Sequence, residues 1–483
     1  MRELLTELAD KAKADGASYA DARLVTLRRR AVEAREGRLT RKSDTTSRGA
    51  GIRVLYKGAW GFSCSSDTSP DALRKCVSAA LDSAKASVMH LEAMTELHPV
   101  PAAEDEWQSP ISKDPFAVPV ARQAALVLGA NARALKVKGI KYATAGMNLA
   151  LEDKAYASTD GSYLQQRIYR SQPYMTVTAV DAAAGDFETR SLDAAPAQRG
   201  YEQIEEAFAP EAIDRIADEA AQKLQAPFVK PGKYDLVIVP SNLWLTIHES
   251  IGHSTEYDRI AGLEANMAGT SFVKPGDVGK LRYGPPLVGF TADRTEPFAL
   301  ATAAYDDDGV RCGSFDLVRE GVLVELQYAR GEASRLGKKT SHGLSYADSW
   351  ASIPFQRMPN VSLNPARKGP SLQELLGDTK DGLLVAGAGS WSIDQQRYNF
   401  QFGAGLVSEI RNGRVHGPVR GAAYQANTLE FWGACDAVCG PEERKLFGSL
   451  YDGKGEPMQF NAVSHGCPPA RFRKVSVLAV GAR

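Results

Sequence analysis

The stretch that most constrains this 483-residue chain is an apolar run followed at once by a polar turn of helix. Tyr234-Asp235-Leu236-Val237-Ile238-Val239-Pro240 reads as a buried strand. Ser241 or Asn242 is placed to cap a helix that continues through Leu243-Trp244-Leu245 to His248-Glu249-Ser250-Ile251-Gly252-His253. Two imidazoles thus flank a carboxylate on one element that a strand backs. Neutral imidazole is a common Zn²⁺ ligand, and a neighbouring Glu can take a proton from an activated water.

The spacing is unusual. A zincin helix carries H-E-x-x-H, with both rings on one face at i and i+4. Here the second His stands at i+5, which in a regular α-helix is roughly 140° away. The rings converge only if the helix widens or ends, so the sequence predicts a π-type or terminating turn near Gly252. The chain has seven His in all, and a plain polar helix face is the competing reading of this pair.

A catalytic zinc takes three protein ligands and keeps one position open. Candidates for the third ligand are Cys467, His465, Cys435, Cys439, His342, Glu256 and Asp258. Cys467 lies in Ser464-His465-Gly466-Cys467-Pro468-Pro469, whose Gly and Pro predict a stiff, exposed loop. Lys+Arg and Asp+Glu balance at 58 each, so no global field points to nucleic acid or an anionic membrane. No apolar run reaches the ~20 residues of a spanning helix. Six scattered Cys suit a reducing cytoplasm.

In chain order, a helix is expected over 4–14, then strands between Tyr19 and Ser63 with turns at Glu36-Gly37 and Lys57-Gly58. Ser69-Pro70 opens a second helix, 98–119 reads as a surface loop, and helices follow at 120–135 and 210–225 around antiparallel strands. The expected fold class is α+β. Residues 1–225 are expected to form an α+β domain with antiparallel strands and helices on one side of its sheet, and 226–483 a β-rich, barrel-like catalytic domain. Ala226–Gly232, with two prolines, is the expected linker.

The sequence resembles the TldD/PmbA family of metallopeptidases. The likeness rests on Tyr19-Ala20-Asp21-Ala22-Arg23, Gly51-Ile52-Arg53-Val54 with Trp60-Gly61-Phe62, and the H-E-x-x-x-H signature with its trailing Glu256 and Asp258. Asp306-Asp307-Asp308-Gly309, Glu320-Gly321-Val322-Leu323 and Arg357-Met358-Pro359-Asn360 follow in the family's order. The resemblance implies a metal held by His248, His253 and Cys467, with Glu249 as acid/base. It also implies a homodimer, or a heterodimer with a related subunit. The chain departs from the pattern at Pro468-Pro469 after Cys467 and at His342, where Asn is expected.

The expected function is zinc-dependent hydrolysis of peptide bonds in short or unfolded polypeptides, in the cytoplasm, with no nucleic acid or membrane partner. An extended substrate would add to a strand edge. A fourth protein ligand, His465 or Cys439, would instead close the site and mark a non-catalytic partner subunit. A narrow capped pocket would favour a small-molecule amidase.

Overall fold

Two long hairpins build the first sheet of the computed structural model, which describes residues 1–481. Tyr19–Arg35 pairs antiparallel with Arg38–Tyr56, and Ile140–Ser158 with Tyr163–Asp181. The expected turns are present: Glu36-Gly37 and Lys57-Gly58 all have positive φ, the conformation that closes tight hairpins. Strict alternation then sorts the side chains. Ala20, Ala22, Leu24, Val32 and Ala34 share one face with Ala143, Ala145 and Met147. Against that face pack Arg2–Ala14 through Leu5 and Leu8, Pro70–Ser87 through Leu73 and Val77, Val120–Ala134 through Val127, and Pro210–Leu224 through Ile213 and Ile216. The helices therefore lie on one side, as expected. The segment read as a surface loop contains a short strand, Glu104–Gln108, parallel to Tyr163–Asp181. It is mostly exposed and charged, so no apolar alternation marks it.

The opposite face is charged and buried. Arg53 bonds Asp21 at 2.7 Å and reaches Asp308 at 2.6 Å. Lys154 bridges Glu152 and Asp307 at 2.8 Å each, and Arg170 holds the other oxygen of Glu152 at 3.0 Å. The acidic loop 306–309 of the second half thus docks on basic side chains of the first. Burial alone would raise the Glu152 pKa, but Lys154 and Arg170 outweigh it and bring it to about 2. A carboxylate depressed on folding stabilises fully above its unfolded value and loses that increment as pH falls through the folded value. Stability is therefore expected to drop by about 3 kcal/mol between roughly pH 4.5 and 2 on account of Glu152. Denaturant melts across that range check this. An E152Q variant with the same acid slope as the parent would show that Glu152 is not held ionised.

The second half closes on itself. Asp381–Ile393, Gly232–Ile238, Ala470–Ala479, Ala422–Asn427 and Asn399–Arg411 pair in that order, and Asn399–Arg411 pairs back onto Asp381–Ile393. This is a five-stranded barrel, and its one parallel pair joins 232–238 to 381–393. The fold is mixed α+β with a β-barrel, the class expected. The Pro227–Pro231 stretch is pinned to the barrel: Val229 N–H donates to Arg420 O at 3.0 Å, and Arg420 N–H to Pro227 O at 3.0 Å. Phe400, Phe402, Tyr424, Phe431, Trp432 and Phe472 pack edge-on and stacked in the core beneath the helix Pro240–Ile247. A separate ribbon, Lys445–Lys454 with Gln459–Cys467, lies across that helix. No helix among the described residues is long and apolar enough to cross a membrane.

Candidate metal centre

The first barrel strand runs straight into the helix Pro240–Ile247. Pro240, with its preset φ, starts the helix, so Ser241 and Asn242 are free of the capping role expected of them. They fasten the helix to the barrel instead. Gly387 N–H donates to Ser241 Oγ, and Asn242 Nδ2 donates to Gly387 O and Gly403 O.

At His248 the helix changes pitch. His248–Gly252 is a π turn, closed by His253 N–H donating to His248 O, and a 3₁₀ turn His253–Thr255 follows. The distortion that the i+5 spacing predicts is present, and the two imidazole centroids come to 4.4 Å. The turn is held from outside. Gln327 Nε2 donates to Gly252 O at 2.6 Å, Trp432 Nε1 to Ser250 Oγ at 2.9 Å, and Ser254 Oγ pairs with Tyr283 OH at 2.8 Å. Gly252 has an ordinary helical φ of −54. Its small size matters because a Cβ there would come within 2.5 Å of Met358 Sδ.

The partners of each ring fix its proton. His465 Nδ1 lies 2.7 Å from Val361 O, a carbonyl that can only accept, so Nδ1 carries the hydrogen. Burial depresses the His465 pKa to about 4, so the ring is neutral and its Nε2 is an acceptor. His248 Nδ1, 2.9 Å away, must donate to it, which leaves His248 Nε2 bare. His253 Nδ1 donates likewise to Glu256 Oε2 at 2.7 Å. Burial opposes the charge on Glu256, but Lys454 and Arg259 hold its pKa well below the usual range. His253 Nε2 is bare as well. Burial pushes both imidazoles well below their ordinary pKa, with the neighbouring His465 adding to the effect on His248 and Arg259 on His253. Both are neutral, the form that binds metal.

The two bare nitrogens face Asp452. Its Oδ1 is 3.7 Å from His248 Nε2 and 3.5 Å from His253 Nε2, and the three donors lie within 4.8 Å of one another. These separations are long for hydrogen bonds. They suit a tetrahedral ion, whose ligand atoms at about 2.1 Å from it lie about 3.4 Å apart. Asp452 is aimed by a β-bulge: Ser449 pairs with Val463 and Asp452 with Asn461, so one extra residue is spliced in between. Buried Arg357 holds its Oδ2 at 3.3 Å.

Cys467, the third ligand implied by resemblance, does not join this group. It ends the strand Gln459–Cys467, fully buried beside Val463 in the apolar core, where burial pushes its thiol pKa up. The exposed loop expected there is a paired strand end, with Lys445 opposite Cys467. His465 spends both ring nitrogens on the bonds above and has none for an ion. Cys435 and Cys439 are buried elsewhere, in the aromatic core and beside Leu375. His342 stacks on Phe315 at 3.9 Å and does not line the site. Glu256 bonds and so orients His253, whereas Asp258 pairs with Lys454 at 2.6 Å and touches neither ring.

Glu249 points into a cavity of about 410 Å³ that His248, His253, Asp452 and Arg397 also line. Burial raises its pKa above the ordinary value, and Arg397, bonded to its Oε2 at 2.6 Å, offsets only part of that rise. Trp391 and Tyr451 stand at the rim, 62% and 60% exposed.

Three domain models of one family match this chain in order: PmbA/TldA metallopeptidase domain 1 over residues 20–84, the central domain over 113–226 and the C-terminal domain over 231–479. The chain belongs to the PmbA/TldD metallopeptidase family. It is 27% identical to a metalloprotease of Methanothermobacter thermautotrophicus over 463 residues, 96% of each chain. It is 22% identical to a zinc metalloprotease TldD homolog of Saccharolobus solfataricus, covering 97% of this chain and 98% of the relative. In fold it matches TldE from Thermococcus kodakarensis, with a TM-score of 0.73, 15% identity and 98% and 99% of the two chains covered. A Thermotoga maritima structure described as a candidate modulator of a DNA gyrase matches with a TM-score of 0.78 at 18% identity, over 99% of this chain and 100% of that one.

Proposed function

We propose that this family member is a zinc peptidase whose ligands are His248, His253 and Asp452 and whose acid/base is Glu249. The observation that carries the reading is the convergence of two bare imidazole nitrogens on one carboxylate oxygen at 3.5–3.7 Å, at the wall of an open cavity. Two imidazoles and a carboxylate are a donor set of catalytic zinc sites, and they leave a corner for water. Bound there, zinc supplies Lewis-acid polarisation of a carbonyl and acidification of water. Glu249 then takes the water proton and returns it to the departing amine. An all-protein structural site is disfavoured because His465 has no free nitrogen and Cys439 is remote.

The rim favours a polypeptide over a small amide. The cavity opens between two bulged strands, at Ala388–Trp391 and Ser449–Asp452, and exposed aromatics stand beside strands that an extended peptide can line. Short or unfolded polypeptides are the proposed substrates. The six free cysteines support a reducing cytoplasm. A dimer with itself or a related subunit is proposed from the family resemblance.

Purified protein should contain about one zinc per chain and cleave unstructured peptides. Metal-replete protein inert toward such peptides, alone or with a related subunit, would overturn the reading. The His248–His465–Val361 chain makes a further prediction. H465A should weaken metal binding by about 10–100-fold, the range for lost partners of ligating histidines. Competition with a chromophoric chelator measures it, and unchanged affinity would remove His465 from that role.

A further inference from the structure

Arg397 stands at the tip of the hairpin joining Asp381–Ile393 to Asn399–Arg411. Its backbone is left-handed, with φ 63, a conformation that costs a non-glycine residue free energy and that glycine would adopt without strain. The tip is clamped into this shape. The Asp394 carboxylate accepts from Tyr398 N–H at 2.8 Å and Asn399 N–H at 3.0 Å. Thr270 N–H donates to Gln395 O at 2.8 Å, Phe272 N–H to Gln396 O at 2.9 Å, and Thr428 Oγ1 to Arg397 O at 2.9 Å.

What the strained tip delivers is a guanidinium held at two points. Nη1 donates to Glu249 Oε2 at 2.6 Å, and Nη2 to Ala268 O at 2.9 Å. Arg259 donates to the same Ala268 carbonyl, so that anchor is itself tied to the network around Glu256 and His253. Glu249 Oε1 takes no hydrogen bond from any described residue, and the carboxylate borders the cavity. A plain neutralising role would need only a nearby cation, and a flexible lysine would serve. A planar fork seated on two separate acceptors fixes direction as well as charge.

We propose that Arg397 is a positioning residue: it pins one oxygen of Glu249 against the hairpin tip so that the other faces the water to be activated. The inference rests on the peptidase reading above for its kinetics, but not for its geometry.

The test pairs kinetics with a structural readout that needs no metal. In R397A, and in R397M, which keeps most of the bulk, kcat should fall about 10²-fold, the scale of a misplaced catalytic group. KM and zinc content should stay near parental values. Crystals of metal-free parent should show one Glu249 rotamer, and metal-free R397A more than one. A single, unmoved Glu249 in R397A would overturn the proposal. So would a kcat within about threefold of the parent, or a loss confined to KM, which would make Arg397 a substrate-binding residue. If the parent cleaves no peptide, the peptidase reading falls, and the Glu249 rotamer still decides the role of Arg397.

Discussion

The E249Q variant is expected to bind zinc as tightly as the parent and to cleave peptides about 10²–10⁴-fold more slowly, the span of a lost general acid–base. The two halves of this expectation have separate sources. Glu249 is not among the three converging donors, so the ion should not miss it. The Gln carbonyl can still accept from Arg397 Nη1, so the local packing survives. What disappears is the one carboxylate that borders the cavity without facing both imidazoles. Metal content by mass spectrometry beside single-turnover cleavage separates the two. Retained cleavage would exclude Glu249 from proton transfer, and lost zinc would make it a ligand.

The second large effect concerns the third ligand. D452A and H253A should each lose the ion, with affinity down by more than the roughly 10–100-fold of an outer partner. C467A should keep full zinc and activity, with at most a modest loss of stability from its apolar site. The structure separates these variants clearly: Asp452 faces both bare nitrogens, while Cys467 lies in the core. Zinc bound normally in D452A and absent from C467A would reverse the assignment and restore the thiolate.

Much of the proposed site was legible in the sequence, and the rest was not, for identifiable reasons. His248, Glu249 and His253 declare themselves because spacing on one element is local information. The i+5 offset also implied a widened or terminating turn, and a π turn that closes on His248 O is present. Asp452 carries no such mark. Asp-Gly reads as a turn, and only the bulge opposite Asn461 and Val463 aims it at the rings. Gly466 and Pro468 imply an exposed loop at Cys467, whereas pairing with Lys445 buries the strand end. Arg397, in a polar tip, gave no sign, since its chemistry comes from Ala268 and Glu249, 129 and 148 positions away. The α+β class and the hairpin turns at Glu36-Gly37 and Lys57-Gly58 followed from alternation and turn chemistry. The order of strands round the barrel did not, because its one parallel pair joins segments far apart in the chain.

The bulged ribbon has a consequence during synthesis. On the assignment proposed, the histidines leave the ribosome about 200 residues before Asp452, which completes their site. A growing chain therefore carries only a partial, weakly binding set of donors. On that assignment the donor set becomes complete only once the ribbon of Lys445–Lys454 and Gln459–Cys467 has paired and docked.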